Sequence, residues 1–462
     1  MLLKRDAGAA LADLEVHRAA LAGEAVRAEA QMLAGAAYAR LGDHASAEAR
    51  FRSAERHCSP RSPLVAEVGY QRAQALWMER RLDEAEAELE RIEHRASGTL
   101  AIECCVLRGA IASARGQIRL QAAILLGALP LVRVPDVSVL HHAVVASQIA
   151  YLARELPSAE LRAHASAELP RVAWTDDIAD FHYTSLRAVA WCHALEGDDF
   201  NAFRKLKEAA AIAPSDAWRV MASCDRSYLA TVLGEPRWAE QELRDAHEIA
   251  ARVEWNLLDG EERFALALLA ELFAWRDGAL ALSYVAKYRA TGARYARILS
   301  SSNDRRVGAM EAYSFGVVQQ HLGDRDEATR LFREAWAVYD EIGYDWRACR
   351  CAFALAELTG DAAWRACAAE KLRDYRRSWL VGRDPGQIAK PAAVDVGALA
   401  ARLTPAQRAV FEQLLHGMAI RSIARDLDRT ENTVRNHVKA IFKVFDVNSR
   451  AALMARANRS GA

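Results

Sequence analysis

The stretches LTPAQRAVFEQLLHG (403–417) and IRSIARDLDRTENTVRNHVKAIFKVF (420–445) decide how this chain is read. Thr404 is placed to cap a helix and Pro405 to occupy its first position, where a missing N–H costs nothing. Gln407, three residues after Thr404, completes a capping box. Val410, Phe411, Leu414 and Leu415 give that helix an apolar stripe, and Gly417 is a left-handed stop. Ile420, Ile423, Ala424 and Leu427 follow at i, i+3, i+4, i+7, which predicts a short second helix. Asp428-Arg429-Thr430 reads as a tight turn, with Thr430 the N-cap of a third helix through Phe445. On that helix Val434, Val438, Ile441, Phe442 and Phe445 fall within an arc of roughly 100°. Thr433, Arg435, Asn436, Lys439 and Lys443 lie opposite. Such side chains suit a duplex: Arg reads guanine, Asn reads adenine, and Lys supplies a point charge.

A short helix, a tight turn and a longer basic helix make the helix-turn-helix arrangement, whose second helix enters the major groove. The segments LTPAQRAVF, IRSIARDL, TENTVRNHVKAIF and VNSRAAL together resemble, over some 56 residues in register, the four-helix DNA-binding domain of LuxR/NarL-type transcriptional regulators. The resemblance implies base-reading roles for Arg435, Asn436 and Lys439. It implies phosphate contacts for Arg421, Ser422, Thr430, Thr433, His437, Lys443 and Arg450. It also implies a dimer contact on a fourth helix from Ser449, through Ala451, Ala452, Met454 and Ala455. The sequence departs from the family where an Arg-Glu pair is usual and Ala406-Gln407 stands, and where Asp428 and Asp446 replace turn glycines. Asp tolerates a left-handed backbone better than most residues, so the turns are expected to survive at some cost in stability.

Charge supports a division of labour. The chain of 462 residues balances 61 basic against 61 acidic residues, but residues 399–462 hold 11 Lys/Arg against 5 Asp/Glu, a net of +6. A basic tail on an acidic body is what a DNA reader attached to a non-binding domain would show. The eight cysteines form no CxxC and no Cys/His set with zinc spacing, so they read as reduced thiols; no metal or cofactor is expected. The amino terminus lacks the apolar core of a signal peptide, and the longest apolar run, 122–132, is too short to span a bilayer. A cytoplasmic protein without membrane contact is the expectation.

Residues 1–375 show helical apolar periodicity and a recurring pattern. Gly42 is followed at +9 and +12 by Phe51 and Ala54, Gly116 by Leu125 and Ala128, and Gly197 by Leu206 and Ala209. Gly234 leads to Leu243 and Ala246, and Gly323 to Phe332 and Ala335. Four of these glycines have an acidic residue directly after them: Asp43, Asp198, Glu235 and Asp324. Each unit reads as a helical hairpin: Gly ends one helix, the acid starts the next, and the +9 and +12 residues face back onto the first. Weaker turns near Arg80, Pro157, Gly278 and Gly360 bring the number to eight or nine. AAYARLGDHASAEARFRSA and QQHLGDRDEATRLFREA resemble tetratricopeptide repeats, which implies a right-handed solenoid whose units touch only their neighbours.

The fold class expected is therefore all-α: a tetratricopeptide-like body (1–375), a Gly/Pro-rich linker (376–398) and a LuxR-type helix-turn-helix domain (399–462). All eleven tryptophans lie before the tail, and they read as bulk filling gaps between helices rather than as a ligand groove. His141-His142 is no metal pair, since neighbours on a helix point 100° apart. No nucleotide-binding loop, phosphoacceptor domain, zinc-protease or serine-hydrolase motif occurs, so an enzyme is not expected. The function expected is a homodimeric transcriptional regulator of double-stranded DNA whose body senses a protein, peptide or small-molecule effector. The alternative is a repeat adaptor with a vestigial or oligomerising tail.

Overall fold

The computed structural model describes residues 7–17, 23–233, 235–258, 261–274, 276–298, 304–371, 400–415, 418, 420–445 and 453. Helix α1 (Ala7–His17) precedes nine helical hairpins, and no strand occurs among the described residues. The first three hairpins are α2/α3 (Glu24–Arg40, His44–His57), α4/α5 (Leu64–Met78, Leu82–Ile92) and α6/α7 (Thr99–Ala114, Ile118–Val132). The middle three are α8/α9 (Val139–Glu155, Ala159–Glu168), α10/α11 (Ala179–Leu195, Asp199–Ala211) and α12/α13 (Asp216–Leu233, Pro236–Ala250). The last three are α14/α15 (Phe264–Ala274, Gly278–Ile298), α16/α17 (Asp304–Leu322, Arg325–Ile342) and α18/α19 (Asp345–Thr359, Ala362–Lys371). The tail holds α20 (Pro405–Leu415), α21 (Ile420–Asp426) and α22 (Glu431–Val444).

The repeated residues do in space what their spacing demands. Gly42, Gly116, Gly197 and Gly323 all adopt φ between 76° and 87°, the left-handed region that ends a helix without a Cβ penalty. Arg80 makes the same turn at φ 62°, which is why the second hairpin lacks the glycine signal. Asp43, Asp198 and Asp324 cap the following helices, their carboxylates accepting from the backbone N–H of Ser46, Asn201 and Glu327 at 3.0, 3.3 and 3.1 Å. All ten side chains at +9 and +12 are buried, Leu243 and Ala246 among them, although Gly234 itself lies outside the described residues. A further regularity sits seven residues before the turn. A Cβ on Gly35 or Gly316 would stand 2.7 or 2.8 Å from the ring of Phe51 or Phe332, so the two helices of those hairpins approach closely only because no side chain intervenes.

One expectation fails. The units do not touch only their neighbours, because the array curls until the fourth hairpin meets the ninth. The buried carboxylate of Glu155, at the end of α8, accepts from Arg347 Nε and Nη2 at 2.7 and 2.8 Å and from Trp346 Nε1 at 3.0 Å, both at the start of α18. Arg154 donates to the same carboxylate at 2.8 Å. Trp191 on α10 stacks on Trp346, with ring centroids 5.9 Å apart, and Cys349 and Ala352 join it in one apolar cluster. Tandem periodicity reports how each unit packs on the next, and carries no signal for where a superhelix meets itself.

Burial alone would raise the pKa of Glu155; the guanidiniums of Arg154 and Arg347 outweigh it and hold the value at about 2. Its folded pKa is depressed, so the contribution to stability is full above the unfolded value of 4.5 and drains away as pH falls toward 2. Glu155→Gln leaves two buried cations short of charge and should cost ~3–5 kcal/mol at neutral pH, read from denaturant melts. The gap between variant and parent should narrow as pH drops below 4.5.

Candidate nucleic-acid interface and a cavity in the repeat body

The tail is a small core with a cationic outer helix. Thr404 N–H donates to Gln407 Oε1 at 3.0 Å and Gln407 N–H to Thr404 Oγ1 at 3.3 Å, so the capping box forms without the usual glutamate. Val410, Phe411 and Leu414 of α20 and Ile423 and Ala424 of α21 are buried against Val434, Val438, Ile441, Phe445 and Leu453. Phe411 and Phe445 stack with centroids 4.7 Å apart. Between α21 and α22, Asp428 adopts φ 50°, the left-handed turn expected where the family has glycine. Thr430 then caps α22, its hydroxyl accepting from Thr433 N–H at 3.1 Å and pairing with Thr433 Oγ1 at 2.9 Å. That hydroxyl is engaged in holding the helix start.

With one face of α22 locked into this core, Arg435, Asn436, Lys439 and Lys443 are exposed, while Thr433 and His437 are half-buried at the margins. On α21, Arg421 is exposed and Ser422 half-buried. Glu431, in the first turn of α22, lies 3.8 Å from Arg421 and 3.6 Å from Arg435. These pairs are solvent-screened and weak, so they orient the two arginines without holding them. Arg425 stands one helical turn from Arg421 on α21, is also exposed, and lies 3.5 Å from Asp426. Arg450, Ala451, Ala452, Met454 and Ala455 lie outside the described residues, as do Gly417, Asp446 and the linker.

The body holds a second feature. The first helices of hairpins four to nine, with Tyr339 of α17, line a cavity of ≈ 100 Å³. Trp191, Trp218 and Trp346 line it, and Trp191 and Trp346 also belong to a buried apolar cluster. Trp336 meets Trp364 edge-on at 5.0 Å, and the exposed Trp238 stacks on Phe203 at 4.1 Å; Trp275 and Trp379 lie outside the described residues. Between the rings stand arginines. Arg350 lies between Tyr228 and Tyr313, 4.9 and 4.4 Å from their centroids, and donates to Glu271 at 2.6 Å. Arg187 grips Asp225 through Nε and Nη2. In the Cys349-Arg350-Cys351 triplet the arginine, rather than either thiol, lines the cavity. Burial pushes both thiols up, out of reach of ready ionisation. His141 and His142 pair separately with Glu103 and Glu168, and no metal-ligating group occurs among the described residues. No helix among them is long and apolar enough to cross a membrane.

Residues 401–457 match the family of bacterial regulatory proteins, luxR family. No curated protein matches the chain. Among solved structures, a Rap protein complexed with competence and sporulation factor shares 13% identity and a TM-score of 0.48, covering 78% of this chain and 98% of that one. The APC/C hetero-tetramer Cut9-Hcn1 shares 12% identity and a TM-score of 0.27, covering 93% and 90%. Neither likeness is strong enough to carry a function across. Asp428→Gly should relieve the left-handed turn and stabilise the tail by ~1 kcal/mol, seen as a higher melting temperature. The matched segment, with its capped α20, short α21 and cationic α22, is a LuxR-type helix-turn-helix domain.

Proposed function

We propose that this chain is a DNA-binding transcriptional regulator in which the repeat body (1–375) responds to an effector and the tail (399–462), joined by the segment 376–398, reads DNA. One observation carries this reading. In a LuxR-type domain, α22 buries its apolar face and leaves Arg435, Asn436, Lys439 and Lys443 exposed on the opposite side. Arg435, Asn436 and Lys439 read base edges in the major groove. Arg421, Ser422, Thr430, Thr433, His437, Lys443 and Arg450 approach phosphates, with Arg425 extending the same surface. Pairing of two tails through Ala451, Ala452, Met454 and Ala455 would place half-sites in inverted order, one or more helical turns apart. The chain carries out no chemistry in this reading.

The test is binding of the full-length protein to the DNA upstream of its own gene, titrated with salt. Log affinity should fall linearly with log salt as phosphate counterions are released. Absence of affinity above background would favour the adaptor alternative. Arg435→Ala should cost ~1–3 kcal/mol and relax preference at one base position, as read from a binding-site selection. An unchanged profile would remove Arg435 from the base-reading set. Lys443→Ala should weaken all sequences alike and make the salt slope shallower by about one. A loss confined to one sequence would contradict its phosphate role.

A further inference from the structure

We infer that the cavity ringed by hairpins four to nine binds a small organic anion with a planar, apolar body, and that this is the effector of the regulator proposed above. The effector role rests on that proposal; the binding does not.

Charge comes first. Five arginines line the cavity: Arg154, Arg187, Arg306, Arg347 and Arg350. Two carboxylates line it with them, Asp225 and Glu271, and Glu155 stands behind Arg154 and Arg347, bonded to both. Leaving Arg306 aside, Arg187 pairs with Asp225, Arg350 with Glu271, and Arg154 and Arg347 share Glu155, so these four guanidiniums exceed their three carboxylates by one charge in a setting where charge is poorly solvated. A cationic ligand would add to that excess and a neutral one would leave it; an anion offsets it.

Geometry narrows the class. Arg350 is fixed between two tyrosine rings and spends only Nη2 on Glu271 among the described residues, so further N–H groups of its fork remain for an acceptor. Arg187 likewise uses Nε and Nη2 on Asp225. A carboxylate matches the planar donor set of a guanidinium. The rest of the wall is aromatic, with Trp191, Trp218, Tyr183 and Phe264 offering faces and edges to a flat body. The cavity of ≈ 100 Å³ is several times the ~10–15 Å³ needed to hold one water, so it admits a small ring such as a monocyclic aromatic acid.

The experiment uses full-length protein and matched probes: benzoate and 4-hydroxybenzoate against benzamide and 4-hydroxybenzamide. Binding is read by tryptophan fluorescence and by the shift in melting temperature. The acids should bind at least tenfold more tightly than their amides, since only the acids engage the guanidinium fork with charge. Met310→Trp fills the cavity without removing a charge, and should abolish binding while circular dichroism stays unchanged. Arg350→Lys keeps the charge but loses the fork, and should weaken the acids about tenfold while leaving the amides alone. Amides binding as well as acids, acids binding equally to the Met310→Trp protein, or no acid binding at millimolar concentration would overturn the inference. DNA affinity is measured in parallel with and without the acid. Acid binding that leaves DNA affinity unchanged would overturn the effector role, whereas DNA binding without acid binding would sink this inference alone. Acid binding without DNA binding would sink the regulatory proposal and the effector role with it, and leave the acid site standing.

Discussion

Two oxygens on Glu155 hold the body in its shape. They connect α8 to α18 across 192 residues of chain, and they do so in a place from which water has been removed. A buried carboxylate is costly unless charge and hydrogen bonds are returned to it; here Arg154, Arg347 and Trp346 return both. Without that closure, the first helices of hairpins four to nine would face open solvent as a strip of aromatic and basic residues. With it, the same residues become walls.

The polar pairs inside follow a common logic. Arg187 with Asp225 and Arg350 with Glu271 each tie the first helix of one hairpin to that of another, as Glu155 and Arg347 do at the seam. Burial works against each guanidinium, but Asp225 beside Arg187, and Tyr228 and Tyr313 with Glu271 beside Arg350, outweigh it and keep the pKa above the usual range. Charge is thus retained in the interior at each of these three pairs. The tail works the other way round, with a dry apolar core and its charge kept outside on α21 and α22. One chain therefore carries an inward-facing and an outward-facing cationic surface, and only the second was visible in the net charge of its segment.

Local chemistry was legible in the sequence to the residue. The Thr404/Gln407 box and the Thr430 cap appear where spacing puts them, and the left-handed Asp428 where the family resemblance implied a turn glycine, because capping and turns are settled within four residues. Hairpins were legible through Gly42, Gly116, Gly197 and Gly323 and through the buried pairs nine and twelve residues on. The second hairpin was fainter because Arg80 adopts the turn conformation without being glycine. What could not be read was the return of the ninth hairpin to the fourth. Trp346 and Trp191 looked like any other bulky helix residues, since their roles are set by partners far away in the chain. The interhelical glycines Gly35 and Gly316 were readable, seven residues before each turn, but only once their contact with Phe51 and Phe332 gave the spacing a meaning.

Open arrays of helical hairpins can gain or lose a unit over evolutionary time and merely grow longer or shorter. This one has given up that freedom between its fourth and ninth units. Inserting or deleting a hairpin there would displace Arg347 from Glu155 by about the width of a packed helix, roughly 8–10 Å, and strand both charges. Homologues of this chain should therefore vary in length at the amino-terminal hairpins, and keep the number of units between the two residues constant.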